Sequence, residues 1–415
     1  MRFYIDPGTG SMLFTILIGV IGAGIYSLRM LWIKIRFKLS GGKAEVNDEK
    51  IPLAIFSDDK RYWVVFEPIL KELNKRGMDV VYLTASEDDP ALNNPYEHVK
   101  AEFIGSDNKA YARLNFLNAT MVFSTTPGLD VYQWKRSRNV DYYVHIPHTS
   151  NEITRYRMFG IDYYDAVLLS GDHQVRDLRA LEELRGLPKR ELLKVGIPYM
   201  DVMLERYRNV GPIPEHPRTV LLAPTWGKSS MFAIYGEQII EELVKTGYHV
   251  IIRPHPQSFK SDVEILEKLM KAYPESEHLE WNRDMDNFDV LRRSDILISD
   301  FSGVVFDFAL IYGKPIIYTE PNFDRSMYDA WWLDTPWWTL SALPRLGREL
   351  TRENIGSIKS VIDQCLTDEA YEEGRREVTA ETWAHQGEGA VRVADYLMNK
   401  YVELSRKDEV KESCR

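Results

Sequence analysis

Residues 295–318 read DILISDFSGVVFDFALIYGKPIIY. A short apolar strand, Ile296–Ile298, leads into a polar turn and then into an apolar run of helical length, Val304–Tyr312. Gly313 ends that run, and a second strand follows at Ile316–Tyr318. The order strand, turn, helix, strand predicts a βαβ unit of a parallel sheet.

The turn of this unit contains the small polar residues Ser299, Asp300, Ser302 and Gly303, which are typical of a helix N-terminus. A helix that starts there presents free backbone N–H groups and a partial positive charge above the sheet edge. That arrangement suits a phosphate or a pyrophosphate. Taken alone, the pattern favours an ordinary βαβ turn with a serine cap, so the phosphate interpretation depends on other segments.

The length, charge and cysteine content of the chain limit the classes of protein to which it can belong. A chain of 415 residues is too long for one ordinary core and predicts two domains plus an appendage. The formal charge of −10 argues against a nucleic-acid-binding protein, because no broad basic face is implied. The two cysteines, Cys365 and Cys414, provide neither a disulfide framework nor a zinc site, which fits a reducing compartment.

The N-terminal run Met12–Leu28 is uncharged, apolar and just long enough to span a bilayer. A cleaved signal peptide and a buried helix are the alternatives. No small-residue cleavage site follows the run, and positive charge follows it instead, at Arg29, Lys34, Arg36, Lys38 and Lys43. The positive-inside rule therefore predicts a single-pass membrane anchor at residues 1–40, with the rest of the chain in the cytoplasm.

Two series of alternating strands and helices follow the anchor. Strands of the first series are predicted at 52–56, 79–84, 101–104, 120–124, 142–146, 166–170 and 192–195. The proline-containing segment Asn209–Arg218 is predicted to be a linker. A second series follows, with strands at 219–223, 249–252, 296–298 and 316–318, a helix at 232–245 and a tail that is helical in pattern at 380–405. We therefore expect an α/β protein with two Rossmann-like domains, residues 50–210 and 219–405, that face each other across a cleft.

Ligands of open α/β sheets bind outside the carboxyl ends of the strands. In the second series these ends carry Pro224-Thr225-Trp226, Arg253-Pro254-His255-Pro256 and Ser299–Gly303. The prolines on either side of His255 stiffen the backbone and hold the imidazole at a fixed angle. Arg253 adds a permanent charge that suits a phosphate. A histidine at a strand end often only caps a loop, but this combination favours a functional role.

The first series contributes Tyr142–Asn151, which reads YYVHIPHTSN. The strand leaves His148 and Thr149 in the loop at its carboxyl end, facing the predicted cleft. A histidine there can accept a proton from an alcohol, although the spacing alone is equally compatible with a structural histidine. His145, inside the strand, is predicted to be structural.

Two further observations give no support for a special chemical function: the arrangement of the tryptophans and the absence of several catalytic motifs. Trp331-Trp332 and Trp337-Trp338 flank Pro336, and burial of this loop against the core is favoured over stacking on a base or sugar or contact with lipid. No HExxH, CxxC pair, Walker loop or GxSxG motif is present. The sequence therefore predicts neither a metal nor a cofactor.

Three segments together resemble the CDP-glycerol glycerophosphotransferase family of wall teichoic acid primases and polymerases. They are Thr225 in LLAPTW, Arg253–Pro256 in IIRPHP, and Ser299–Leu310 in SDFSGVVFDFAL. The resemblance covers roughly residues 140–375 and is weaker upstream, from His148 to Gly196-Ile197-Pro198. It implies a GT-B fold in which 50–210 is the acceptor-side domain and 219–405 binds a nucleotide-activated donor.

The resemblance also implies roles for individual residues. His148 would be the base on the acceptor hydroxyl, and His255 would contact the donor pyrophosphate. Thr149, Thr225, Trp226, Arg253, Ser299, Asp300, Ser302 and Gly303 would bind substrate. Two departures from the family pattern are present, because the segment WHGT reads PHTS here and Gly227-Lys228 replaces the arginine that usually follows PTW.

The implied function is transfer of glycerol phosphate, or a related polyol phosphate, from a CDP-linked donor to a hydroxyl of a lipid-linked saccharide. The partners are then the donor, the saccharide and the membrane. One alternative is a GT-B glycosyltransferase that uses a nucleotide sugar in surface polysaccharide synthesis. Another is a membrane-anchored binding protein that acts as a scaffold for envelope assembly. Nucleotide binding discriminates between an enzyme of either kind and a scaffold.

Overall fold

The computed structural model describes residues 50–284, 286–319 and 324–413, with side chains to residue 407. The elements described belong to one compact unit, Ile51–Arg415. The predicted membrane anchor at 1–40 lies outside the described residues. Within the described ranges, no helix combines the length and the apolar character that a bilayer crossing requires.

The first half of the chain builds a seven-stranded parallel sheet in the order β3-β2-β1-β4-β5-β6-β7. Its strands are β1 Ile51–Ser57, β2 Val80–Thr84, β3 Val99–Phe103, β4 Ala119–Ser124, β5 Val140–His145, β6 Ala166–Leu169 and β7 Glu191–Lys194. The helices of this half are α1 Trp63–Lys75, α2 Asn108–Leu114, α3 Asp172–Arg185 and α4 Pro198–Asn209. Short 3-10 helices occur at Lys60–Tyr62, Pro90–Asn93 and Ile153–Arg155.

The second half builds a six-stranded parallel sheet in the order β10-β9-β8-β11-β12-β13. Its strands are β8 Thr219–Leu222, β9 His249–Ile252, β10 Leu279–Trp281, β11 Ile296–Ser299, β12 Ile316–Tyr318 and β13 Gly347–Glu349. Helices up to the central turn are α5 Met231–Tyr235, α6 Gln238–Lys245, α7 Ser258–Ser261, α8 Val263–Ala272 and α9 Phe288–Arg293. After the turn come α10 Val304–Phe306, which continues as a π turn over Asp307–Ile311, then α11 Trp338–Leu346, α12 Ile358–Thr367, α13 Ala370–Thr382 and α14 Gly389–Ser413. Short 3-10 helices occur at Arg325–Met327, Asp329–Trp332 and Ile355–Ser357.

Both sheets have the doubly wound strand order, which places a topological switch point between β1 and β4 and another between β8 and β11. The strands at these points are covered on both faces and are mostly apolar, with buried polar residues such as Ser57 and Ser299 mainly at their ends. Residues 53–57 of β1 are buried, as are all residues of β8 and β11. The predicted α/β class with two parallel sheets is confirmed.

The observed elements differ from the predicted ones mainly at the sheet edges and in two helices. The edge strands β10 and β13 are three residues long each and were not predicted. The predicted helix 232–245 is divided into α5 and α6 at Gly236, whose φ of +57° is unfavourable for residues with a side chain. The predicted tail helix 380–405 is likewise divided between α13 and α14.

The last helix, α14, returns to the first half of the chain. Its residues Val393, Ala394 and Leu397 are fully buried in the same apolar cluster as α1 and the β1 and β2 strands. The domain limits 50–210 and 219–405 stay predictions, and this packing associates the end of the chain with the first sheet.

Candidate active site

Segments from both sheets meet at the carboxyl ends of their strands. A Cβ atom placed on Gly303 would lie 3.2 Å from Asn151 Oδ1 and 3.7 Å from Thr149 Cγ2. Nearby, Arg155 Nη1 donates a hydrogen bond to the carbonyl oxygen of Phe301 at 2.9 Å. The loop after β5 and the turn after β11, which the sequence singled out separately, are therefore in contact.

The loop 147–151 is fastened from behind by side chains of α3 and α13. The carbonyl oxygen of Ser150 accepts hydrogen bonds from His173 Nε2 and Thr382 Oγ1, both at 2.9 Å. Gln174 Nε2 donates to the carbonyl oxygen of Asn151 at 2.6 Å. These bonds fix the backbone directly after Thr149, the residue whose side chain lies near Gly303.

His148 is half-buried in this loop beside an aromatic ring. The centroids of its imidazole and of the Tyr62 ring are 4.8 Å apart. Burial, together with the smaller effects of the Arg61 and Arg155 charges, lowers the pKa of His148 to about 4. The imidazole is therefore neutral near pH 7 and able to accept a proton. Its Nδ1 atom is buried and has no hydrogen-bond partner among the described residues.

The neighbouring His145 lies in β5 and is fully buried. Its Nε2 atom is 3.2 Å from the Tyr156 hydroxyl, and its ring lies against Tyr164. Burial lowers its pKa well below the ordinary value. This placement agrees with a structural histidine.

His255 occupies the loop after β9 and is held in one tautomer. The backbone N–H of Gln257 donates to His255 Nδ1 at 3.1 Å, which leaves Nε2 to carry the proton of the neutral ring. Burial lowers the pKa of His255 to about 4, with a further contribution from the charge of Arg61 and an opposing one from Asp262. Near pH 7 this imidazole is a neutral N–H donor.

Arg253 does not point freely into the cleft. Its guanidinium donates to the Asn282 side-chain oxygen and, at 2.7 Å, to the carbonyl oxygen of Asp284. Both acceptors follow β10, so the arginine ties the ends of β9 and β10 together. Its contribution to the site is therefore to position the loop that carries His255 and to provide a half-buried positive charge.

Ser299 and Asp300 are also turned inward. The hydroxyl of Ser299 donates to the carbonyl oxygen of Ala223 at 2.6 Å. Both carboxylate oxygens of Asp300 lie 3.0 Å from the Thr225 amide nitrogen, and one accepts from the Met231 amide at 3.3 Å. Burial raises the pKa of Asp300 to about 6, against the effect of these amides. The two residues hold the Pro224–Trp226 loop and the start of α5 against the turn, and the resemblance had implied direct contact with phosphates.

Ser302 and Gly303 are the parts of the turn that remain half-buried at its surface. No side chain caps the helix that begins at Val304. Thr225 is buried, whereas Trp226 is 47% exposed at the cleft side of the same loop, with its ring 6.5 Å from that of His255. Ser302, Gly303, Trp226 and the half-buried His255 are therefore the predicted residues of this half that a ligand can reach without a rearrangement.

The tryptophan pairs differ in their burial. Trp337 and Trp338 are buried, as predicted, and Trp338 stacks on His173 with ring centroids 4.0 Å apart. Trp331 and Trp332 are 61% and 39% exposed, so the prediction of burial was wrong for this pair. An alternation of strand and loop does not indicate which of two adjacent tryptophan pairs faces the core.

The sequence interpretation missed Arg61, Tyr62 and Arg155, which act on or contact His148, and Asn151, which lies near Gly303. Arg61 and Tyr62 belong to the 3-10 helix directly after β1, and the carboxyl-end rule that singled out His148 applies there equally. Among the described residues, no group of three or more His, Cys, Asp or Glu side chains is placed to hold a metal ion.

Residues 160–398 match the model of the family described as CDP-Glycerol:Poly(glycerophosphate) glycerophosphotransferase. Curated relatives include the teichoic acid glycerol-phosphate primases of Bacillus spizizenii (strain W23) and Bacillus subtilis (strain 168). Each is 24% identical to this chain, over 257 and 251 residues respectively. Each match covers 57% of this chain, and 62% and 61% of the relative, so the chain spans less than two thirds of those proteins.

Solved structures show the same fold at low identity. A structure of the wall teichoic acid polymerase TagF with CDPG has a TM-score of 0.58 at 15% identity, covering 91% of this chain and 98% of that one. A UDP-GlcNAc 2-epimerase from Methanocaldococcus jannaschii, in complex with UDP-GlcNAc and UDP, has a TM-score of 0.53 at 12% identity, covering 84% and 99%. These likenesses establish the GT-B-like arrangement of two Rossmann-type sheets.

The family match includes His255 and the turn Ser299–Gly303, while His148 lies before its first residue. It covers more than half of the chain and contains the whole second sheet. This chain belongs to the CDP-glycerol:poly(glycerophosphate) glycerophosphotransferase family.

Proposed function

We propose that this chain transfers glycerol phosphate, or a related polyol phosphate, from a CDP-linked donor to a hydroxyl of a lipid-linked saccharide in the synthesis of a cell-envelope polymer. The observation that carries the proposal is the contact between the loop 147–151 and the turn Ser299–Gly303, with a neutral histidine on each side. Membership of the family supports the donor class, and the names of the curated relatives support the polymer.

In the proposed reaction an acceptor hydroxyl oxygen attacks the β-phosphorus of the donor. A new P–O bond forms, the bond from that phosphorus to the bridging oxygen breaks, and CMP leaves. His148 takes the proton of the hydroxyl, and the Nε2–H group of His255 donates a hydrogen bond to the departing phosphate. Ser302 and Gly303 contact the donor phosphates. Positioning and charge stabilisation supply most of the catalysis.

The remaining predicted residues position the site or line it. Arg253, Ser299 and Asp300 act as positioning residues, because their polar groups are hydrogen-bonded inside the second half of the chain. Thr225 belongs to the loop that Asp300 holds, and Trp226 offers an exposed ring for the nucleoside. Thr149 faces Gly303 from the acceptor-side domain.

The proposal includes a membrane location. The apolar run in residues 1–40 and the basic residues that follow it support a single-pass anchor, with the catalytic domains 50–210 and 219–405 on the cytoplasmic side. A lipid-linked acceptor in the same leaflet would then be available to the acceptor-side domain. Protease protection in oriented vesicles tests this topology. Cleavage of the catalytic part only from the side that corresponds to the cell exterior would contradict it.

Calorimetric titration of the full-length chain in detergent with CDP-glycerol, CDP, UDP and GDP tests the donor class. We expect CDP-glycerol and CDP to bind selectively and the affinity to fall in His255→Ala. Preference for UDP or GDP would replace the proposal with a GT-B glycosyltransferase that uses a nucleotide sugar. Binding of none of the four would favour a scaffold protein.

Activity tests the two histidines. His148→Ala and His255→Ala should each lower the rate of polyol phosphate transfer by a factor of about 10²–10⁴, which is the usual contribution of acid–base groups. His278→Ala serves as the control, because His278 is exposed after the second half's α8 helix and lies outside the site. Near-normal turnover in either site variant, with the fold intact by circular dichroism, would remove that histidine from the mechanism.

A further inference from the structure

Arg61 lies at the switch point of the first sheet, in the 3-10 helix Lys60–Tyr62 that follows β1. The side chain of Asp59 sets its direction, because Asp59 Oδ1 accepts from both the backbone N–H and the Nε–H of Arg61 at 2.9 Å. The terminal nitrogens Nη1 and Nη2 have no hydrogen-bond partner within the part of the chain that the structure describes. The guanidinium is thus oriented and still has donors to offer.

The position of Arg61 relates it to both halves of the site. Its guanidinium carbon is 5.9 Å from the centroid of the Tyr62 ring, and that ring is 4.8 Å from the ring of His148. The positive charge of Arg61 also lowers the pKa of His255, which belongs to the second sheet. Because the effect of a charge falls with distance, the guanidinium of Arg61 lies close enough to the space beside both histidines to act on each of them.

Other arginines near this space are already engaged with the protein. Arg253 uses two terminal nitrogens for Asn282 and Asp284, and Arg155 donates to the carbonyl oxygen of Phe301. Arg61, by contrast, is bound to the protein through its Nε atom. A guanidinium with free terminal nitrogens matches two oxygens of a phosphate or of a diphosphate.

We propose that Arg61 binds the diphosphate of the nucleotide donor from the acceptor-side sheet, across the cleft from the Ser299–Gly303 turn. This proposal rests on the proposed function, in which the second domain holds a nucleoside diphosphate derivative. Arg61 and the Ser299–Gly303 turn then form a clamp on the diphosphate, and the bound donor connects the two halves of the protein. The clamp also makes the site select a diphosphate over a monophosphate, because only a diphosphate has the second phosphate group, which lies on the far side of the bond that breaks.

The test is calorimetric titration of the full-length chain in detergent with CDP and with CMP. In Arg61→Gln we expect the affinity for CDP to fall by about tenfold or more, and the affinity for CMP to change by less than about twofold. Arg61→Lys should recover part of the CDP affinity, since it restores the charge without the planar fork. Arg113→Gln, an exposed arginine of α2 paired with Glu102 away from the cleft, serves as the control.

Unchanged CDP affinity in Arg61→Gln would overturn the clamp and leave the proposed function standing. An equal loss of CDP and CMP affinity would overturn it as well, because the selectivity would not depend on Arg61. If the wild-type protein prefers UDP or GDP, the donor class of the proposed function fails, and the same comparison with that nucleotide and its monophosphate decides the clamp. If the wild-type protein binds no nucleotide, both proposals fail.

Discussion

At the scale of single residues, two histidines with similarly lowered pKa values differ in how their protons are placed. The amide of Gln257 occupies Nδ1 of His255 and so assigns the proton to Nε2. His148 has no such contact on Nδ1 among the described residues. One ring is therefore organised as a hydrogen-bond donor, while the other can exchange a proton with an acceptor hydroxyl.

The pH dependence of transfer follows from the pKa of His148, which is about 4. The groups that face its ring are Arg61, Tyr62, Arg155, Tyr156 and His145. Protonation abolishes the base, so activity is lost only as the pH falls through the lowered pKa. We expect kcat/KM to stay level from about pH 7 to about pH 5 and to fall below that. An acid limb centred near the ordinary histidine pKa would contradict the assignment.

Asp300 should matter for stability as well as for activity. In Asp300→Ala the amides of Thr225 and Met231 lose their acceptor in a buried place, which should lower the free energy of unfolding by roughly 1–3 kcal/mol. Ser302→Ala is the matched variant, because Ser302 is half-buried in the same turn, and it should change stability by about 0.5 kcal/mol or less. Urea denaturation measures both. Unchanged stability in Asp300→Ala would return Asp300 to a direct role at the phosphates.

The sequence predicted which residues gather at this site better than it predicted their roles. His148, His255 and the Ser299–Gly303 turn follow from the rule for strand ends. The inward turn of Ser299 and Asp300 does not, because their partners, Ala223 and Thr225, come from another strand end about 75 residues earlier. A pattern shows the type of a side chain and its strand, but the direction of its polar group depends on which acceptors lie nearby.

At the scale of elements, apolar runs in the sequence were sufficient to predict the inner strands. β1, β8 and β11 are buried on both faces, so their sequences are almost continuously apolar. The edge strands β10 and β13 are three residues long and contain charged residues, which leaves no run to detect. Strand pairing with an existing neighbour defines them, and pairing is not visible in a local window.

Because the two site segments approach closely at Gly303, we expect a larger side chain at this position to lower activity. Gly303→Val should lower transfer activity by about tenfold or more, because branches on a Cβ already 3.2 Å from Asn151 Oδ1 would push the loop 147–151 away from the turn. Gly356→Val is the control, since a Cβ on Gly356 meets nothing within 4 Å. The two variants are compared in their turnover rates, measured at saturating donor, and in their melting temperatures. Full activity in Gly303→Val would mean that the two segments separate in the working enzyme.

At the scale of the whole molecule, the two βα series and the linker between them could be predicted, but the path of the chain end could not. The tail was predicted to be helical and to belong to the second domain. The periodicity of a helix shows that one face is apolar but does not show which core that face joins. In the structure, α14 adds Val393, Ala394 and Leu397 to the core of the first sheet, so this sheet depends on residues far along the chain.

Leu397→Ala measures this dependence. Leu397 is fully buried beside α1, and its truncation should lower the free energy of unfolding by roughly 2–5 kcal/mol. Val402→Ala, on the same helix but 45% exposed, should change it by about 0.5 kcal/mol or less. Hydrogen exchange should become faster in β1 and β2 of the Leu397 variant, while β8 and β11 keep their protection, because the cavity forms in the first core. Loss of protection in the second sheet instead would show that the chain end stabilises the donor domain, as the limit 219–405 predicts.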